Sequence, residues 1–184
     1  MKKHDLILLW RKRISNGSIA GTTLRNQGKG IVQCARAYLI KLDLSELHFI
    51  KDAEQFDIWL DQKTAKLQTE MRRLLKRETG NDVFWDTARK SLNLYLLESC
   101  YNTVLREAFV LSHVEDFLEV PLDSQVAKRL QEASGGKLPK WHSFKWLKSD
   151  DHKIYQDFAL SYARKNDLKR AQLDLVFWRS GADE

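Results

Sequence analysis

The sequence predicts an all-α protein, and three observations carry that prediction. Only two prolines, Pro121 and Pro139, interrupt 184 residues. Apolar side chains recur at three- and four-residue spacing over long stretches, the period of helices with one buried face. Hydrophobic residues make up 43% of the chain, enough for a core and too many for wholesale disorder. A chain of this length fits one compact helical domain over 1–184, or two helical lobes flanking a cleft.

Taken in order, Leu6 to Ile14 spaces its apolar residues as a short first helix. Ser15 to Gly30 holds Gly17, Gly21, Gly28 and Gly30 among Ser, Thr and Asn, the composition of a loop. Ile31, Cys34, Ala35, Tyr38, Leu39 and Leu42 form the next helical stripe. Leu44 to Phe49 suits a turn or short helix. A longer helix follows from about Asp52 to Arg77, with Phe56, Trp59, Leu60, Leu67, Met71, Leu74 and Leu75 facing inward. Glu78 to Asp82 breaks it with glycine and asparagine. The next helix starts near Asp86 or Thr87, either of which suits an N-cap, and runs to about Leu111. Pro121 fits the first position of a helix that ends near Ser134-Gly135-Gly136. Asp150 to Lys165 and Leu168 to Trp178 are the last two helices, split by Asn166-Asp167.

Several function classes are disfavoured by composition. No apolar run approaches the roughly 20 residues that span a bilayer. The apolar run after Lys2 and Lys3 is very short, and Arg11, Lys12 and Arg13 follow it at once, so no signal peptide is expected. A soluble, cytoplasmic protein is expected, nucleoid-associated if the source is prokaryotic. Cys34 and Cys100 are too few for a zinc or iron–sulfur site, and the five histidines show no three- or four-residue pairing, so no metal or other cofactor is expected. The formal charge of +6 favours a polyanionic partner, although a solvated lysine-rich surface accounts for it equally well.

Two residues stand out within this scheme. Lys90 lies in Ala88-Arg89-Lys90-Ser91-Leu92-Asn93, which opens an apolar-periodic helix. Asp123 lies in Leu118-Glu119-Val120-Pro121-Leu122-Asp123-Ser124, where a proline starts another. An amine and a carboxylate on the first turns of two packed helices can face one cleft. In a basic helical protein that pairing suggests chemistry on DNA. A third segment, Ala171-Gln172-Leu173-Asp174-Leu175-Val176-Phe177-Trp178, puts Asp174 and Trp178 four apart on one helix face.

In order and rough spacing, these segments across Thr79 to Trp178 resemble the helix–hairpin–helix DNA glycosylase superfamily, most closely its archaeal 8-oxoguanine DNA glycosylase branch. The resemblance implies a glycosylase-like helical fold, double-stranded DNA with a damaged or modified base as partner, and a monomeric base-excision glycosylase with AP-lyase activity. It casts Lys90 as the nucleophile that attacks C1′ of an extruded nucleotide and forms a Schiff base. It casts Asp123 as the carboxylate that accepts a proton from Lys90 and stabilises the sugar cation. The base pocket it implies comprises Gln27, Leu94, Asp174 and Trp178, with the carboxylate taking hydrogen bonds and the indole stacking. DNA contacts fall to Arg25, Lys29, Gly80, Asn81 and Arg89, cations and turn amides suited to phosphates.

The chain departs from that branch at the pocket. The branch carries an aromatic four places after its lysine and a second lysine three further on, where this chain has Leu94 and Leu97. An oxidised purine is the first expectation for the base, and specificity for 8-oxoguanine itself is not implied. Thr23 to Gly30 supplies an amide at Gln27, cations and glycines, the chemistry for reading a base, or equally an ordinary polar loop. Trp141 to Lys148 interleaves aromatics with cations, and packed tryptophans rank ahead of stacking platforms there. A non-catalytic DNA-binding relative is the alternative function. It needs no carboxylate aimed at a lysine, so Asp123 separates the two readings.

Overall fold

A computed structural model describes residues 2–20, 23–24, 27–75, 84–142 and 147–179, the side chains of 75, 178 and 179 excepted. No described residue lies in a strand. The chain divides into two compact units, Met1–Phe117 and Leu118–Glu184.

In the first unit α1 (Lys3–Ser18), α2 (Ile31–Lys41), α3 (Ala53–Leu75), α4 (Trp85–Tyr101) and α5 (Thr103–Ala108) pack together, with 3-10 turns at Leu44–Phe49 and Leu111–His113. Helix α1 extends beyond the expected span at both ends, and the Asp5 carboxylate anchors its start by accepting from the Lys2 N–H at 3.0 Å. Gly30 precedes α2 with φ +88°, and a Cβ there would lie 2.9 Å from Leu74 Cδ2. The left-handed backbone is what demands glycine here, because the half-exposed Leu74 tip can move aside. Helix α3 buries Phe56, Leu60, Leu67 and Met71, as its stripe requires. Leu74 departs from expectation: it lies near the helix end and remains half exposed.

Helix α4 packs against α1, α2, α3 and α5, and this explains why it is buried on most sides. A helix so placed cannot shed its polar residues to solvent, so they must find partners inside. Ser91 Oγ donates to the Thr87 carbonyl at 2.7 Å, and Arg11 Nε donates to the Tyr95 hydroxyl at 3.4 Å. The expected single helix to Leu111 is two helices. Asn102 turns the chain into extended backbone and caps α5, its side chain accepting from the Leu105 N–H at 3.0 Å.

The second unit opens with a strap of no regular secondary structure, residues 118–122, followed by α6 (Ser124–Ala133), α7 (Ser149–Lys165), a 3-10 turn at Arg170–Gln172 and α8 (Leu173–Arg179). Val120, Leu122, Val126, Leu130, Tyr155 and Phe177 are among its core residues. Pro121 belongs to the strap instead of opening α6, and Leu168 and Lys169 precede the last helical turns. Gly135 and Gly136, at φ +64° and +77°, end α6 where a glycine stop was expected. Trp141 packs edge-on against Tyr155, ring centroids 5.7 Å apart, as a core residue does. No described helix is long and apolar enough to cross a membrane.

Candidate functional site

The sequence places Lys90 one helical turn after Asp86 and one turn before Leu94, so the three share a face of α4. Lys90 and Leu94 are half-buried and Asp86 is buried. Lys90 is the sixth residue of α4, in its second turn and not in the first turn expected. Thr87, also buried, sits beside this face. Its hydroxyl donates to Gln27 Oε1 at 3.1 Å, bringing the glycine-rich segment against α4. Gln27 is itself 6% exposed. Two residues singled out separately, Gln27 and Lys90, therefore belong to one neighbourhood, with Leu94 one turn beyond.

Asp86 was expected as a cap, and the helix start differs. Phe84, buried and at φ +67°, is the residue before α4, and its side chain makes no capping hydrogen bond. Trp85 then begins the helix and draws Asp86 and Thr87 into its first turn. Asp86 is 5% exposed. The Thr87 hydroxyl reaches Oδ1 at 3.4 Å, while Oδ2 has no hydrogen-bond partner among the described residues. Burial pushes this carboxyl up to about 7. Hydrogen bonds from the Thr87 backbone and hydroxyl and from its own N–H, and then the Lys90 charge, pull it back down. The sequence carried a signal for this cluster in Asp86 and Lys90, a carboxylate four residues before an amine on one helix.

Asp123 belongs to the second unit. It is the N-cap of α6, and its Oδ1 accepts from the N–H groups of Gln125 at 2.9 Å and Val126 at 3.0 Å. The strap that delivers it is held by side chains. Gln156 bonds both backbone groups of Val120, Arg170 Nε donates to the Leu118 carbonyl at 3.0 Å, and buried Glu119 pairs with buried His152 at 3.5 Å. Asp174 is half-buried in the first turn of α8. Trp178 lies one turn further along α8, its side chain outside the described residues, as are Arg25, Gly80 and Asn81.

Lys29 is exposed, as a phosphate contact would need. Arg89 departs from the expected DNA contact: it faces inward, 5% exposed. It donates to Asp61 at 2.6 Å and Thr64 Oγ1 at 3.3 Å and lies over the Trp85 ring. An arginine so engaged braces α3 against α4 instead of meeting DNA. A cavity of about 430 Å³ lined by Trp10, Arg13, Glu98 and Tyr101 lies toward the other end of α4. Glu98 is roughly 12 Å along the axis from Lys90 by helical rise, so that cavity is separate from the Lys90 cluster. Among the described residues no three His, Cys, Asp or Glu side chains are grouped to hold a metal ion. Comparison with protein-family models, with curated proteins and with solved structures gave no match.

Proposed function

We propose that the protein is a base-excision DNA glycosylase with AP-lyase activity, acting through a Schiff base on Lys90. One observation carries the reading: Gln27, from a loop far upstream, is hydrogen-bonded to Thr87 beside the α4 face that presents Lys90. In this reading the Gln27 amide lies near the base and the Lys90 amine attacks the sugar. Half-burial of Lys90 also supports the role, because it holds the amine against α4 in place of a freely solvated position. The base removed is an oxidised purine in this reading, with Leu94 offering its face an apolar contact. Asp123, Asp174 and Trp178 are assigned to the same reaction by the resemblance of their segments. Damaged duplex DNA is the partner, with Lys29 among its backbone contacts.

The test is borohydride trapping on a duplex that carries an abasic site. Wild type should give a covalent protein–DNA adduct, and Lys90→Gln should give none. A folded wild-type protein that yields no adduct sinks the reading. The capping bonds of Asp123 favour a second one, a DNA-binding relative without chemistry, in which that carboxylate serves only its helix. It expects salt-dependent duplex binding, no adduct, and no effect of Asp123→Asn.

A further inference from the structure

We propose that the cleft between α1 and the end of α4 binds one unpaired nucleotide, its base on Trp10 and its phosphate at Arg13. The site lies away from Lys90 and stands whether or not that lysine is a nucleophile. Trp10, Arg13 and Gly17 come from one face of α1, at spacings of three and four. Glu98 and Tyr101 come from the last turn of α4, and Asn102 from its junction with α5. The space they line is about 430 Å³, within the range of small-ligand sites. Arg13, Gly17, Glu98 and Tyr101 are all exposed, so the cleft is reached from solvent.

Gly17 keeps room in this cleft. It lies within α1 without a positive φ, and a Cβ built on it meets nothing within 4 Å. Neither conformation nor packing therefore asks for glycine, which weakens a helix relative to alanine. Arg13 and Glu98 bring opposite charges to the same space, yet neither side chain has an ion pair or hydrogen bond among the described residues. Held apart, they can meet different groups of one ligand, the guanidinium an anion and the carboxylate N–H donors. Arg13 Cζ lies over the Trp10 ring, 5.3 Å from its centroid, so cation and stacking surface adjoin. A planar base takes the place of the guanidinium on the indole, and the guanidinium turns to the phosphate. Tyr101, half exposed, offers a second ring. Asn102 caps α5 with its side-chain oxygen, accepting from the Leu105 N–H at 3.0 Å, which leaves its NH2 as the donor it can offer.

A nucleotide unites the three chemistries lined up here: a π-face, N–H donors on the base edge and an anion. Exposed Lys12 beside Arg13, in a chain of formal charge +6, favours an anionic ligand. Guanine suits the carboxylate best, because two adjacent N–H groups on its pairing edge can donate to it. That edge is open only in an unpaired base.

The reporter is the Trp10 indole N–H resonance in nitrogen-15-labelled protein, assigned by its loss in Trp10→Phe. Deoxyguanosine monophosphate should shift it, and deoxyadenosine monophosphate should do so with weaker affinity. Gly17→Leu favours the helix and has the open space to enter. It should weaken deoxyguanosine monophosphate binding about 10-fold or more while the other indole resonances stay in place. Arg13→Gln should weaken it about 10-fold, and Glu98→Gln should erase the preference for guanine. Lys90→Gln should bind as wild type does. A short single-stranded oligothymidylate with one central guanine distinguishes the source of the nucleotide. Tighter binding than the mononucleotide, with the same loss in Gly17→Leu, assigns the cleft to a DNA strand, and equal affinity assigns it to the free nucleotide. An unmoved Trp10 resonance with both probes overturns the proposal. So does binding undiminished in Gly17→Leu, or inorganic phosphate alone shifting the resonance with the same affinity.

Discussion

Gln156 holds Val120 by both backbone groups, its Nε2 donating to the carbonyl at 2.8 Å and its Oε1 accepting from the N–H at 3.1 Å. The amide thus does for the strap what a neighbouring strand would do in a sheet. Gln156 is 2% exposed, so the exchange takes place away from water. Gln156→Leu leaves a buried N–H and a buried C=O unpaired, at a cost of about 2–4 kcal/mol. Denaturant unfolding of the two proteins should show that loss. Val120→Ala keeps both backbone bonds and loses only side-chain packing, about 1–2 kcal/mol, so the first variant should be the worse.

Arg89 supplies a prediction with an asymmetry in it. Its side chain is 6% exposed, while that of its partner Asp61 is 68% exposed. Removing the aspartate leaves a guanidinium that still has Thr64 and the Trp85 ring. Removing the arginine opens a hole between α3 and α4. Asp61→Ala strands that buried charge and should cost about 2 kcal/mol, and Arg89→Ala, which also opens the hole, about 3 kcal/mol or more. Equal losses in thermal unfolding would refute this account of the bridge. Arg89→Gln should leave the salt dependence of duplex binding unchanged, whereas Lys29→Gln should flatten it.

The difference between Arg89 and Lys29 shows what the sequence could and could not reveal. Helical class, the stripes of α2 and α3, the glycine stop of α6 and the general span of α7 follow from periodicity and local chemistry. These signals are carried by neighbouring residues, so a single chain displays them. The inward turn of Arg89 depends on α3 arriving beside α4, which no local pattern encodes. The start of α4 was misplaced for a related reason. Asp86 and Thr87 are good capping residues, but both lie buried inside the helix, and Phe84, with no polar side chain to cap with, precedes it. The break at Asn102 was visible in principle, because asparagine is a strong N-cap, but the apolar pattern runs through it. Gln27 and Lys90 were both legible as candidates, and their shared neighbourhood was not.

Asp123 has two possible duties, and substitutions can separate them. An asparagine side chain caps nearly as well as aspartate, because its carbonyl oxygen can accept the same two N–H bonds. Asp123→Asn should therefore keep stability within about 0.5 kcal/mol, while Asp123→Ala should lose about 1 kcal/mol. If the carboxylate also serves the reaction, both variants should trap poorly despite that difference. Trapping that follows stability, with Asp123→Asn near wild type, would confine Asp123 to its helix.

The pH dependence of folding offers a last prediction, independent of any DNA chemistry. Asp86 is raised to about 7 by burial, while an unfolded aspartate titrates near ~4. The folded state therefore binds this proton more tightly than the unfolded state does. Its contribution is fully present below pH ~4, falls as pH rises between ~4 and ~7, and is lost above that. Three units correspond to about 4 kcal/mol as an upper figure, and relaxation around the carboxylate will reduce it. Asp86→Asn cannot titrate and keeps the shape of the side chain. Relative to wild type it should gain stability on going from pH 4.5 to pH 8, by about 2–4 kcal/mol in urea unfolding. A constant difference between the two proteins across that range would mean that the Asp86 carboxyl has its ordinary affinity for the proton in the folded state.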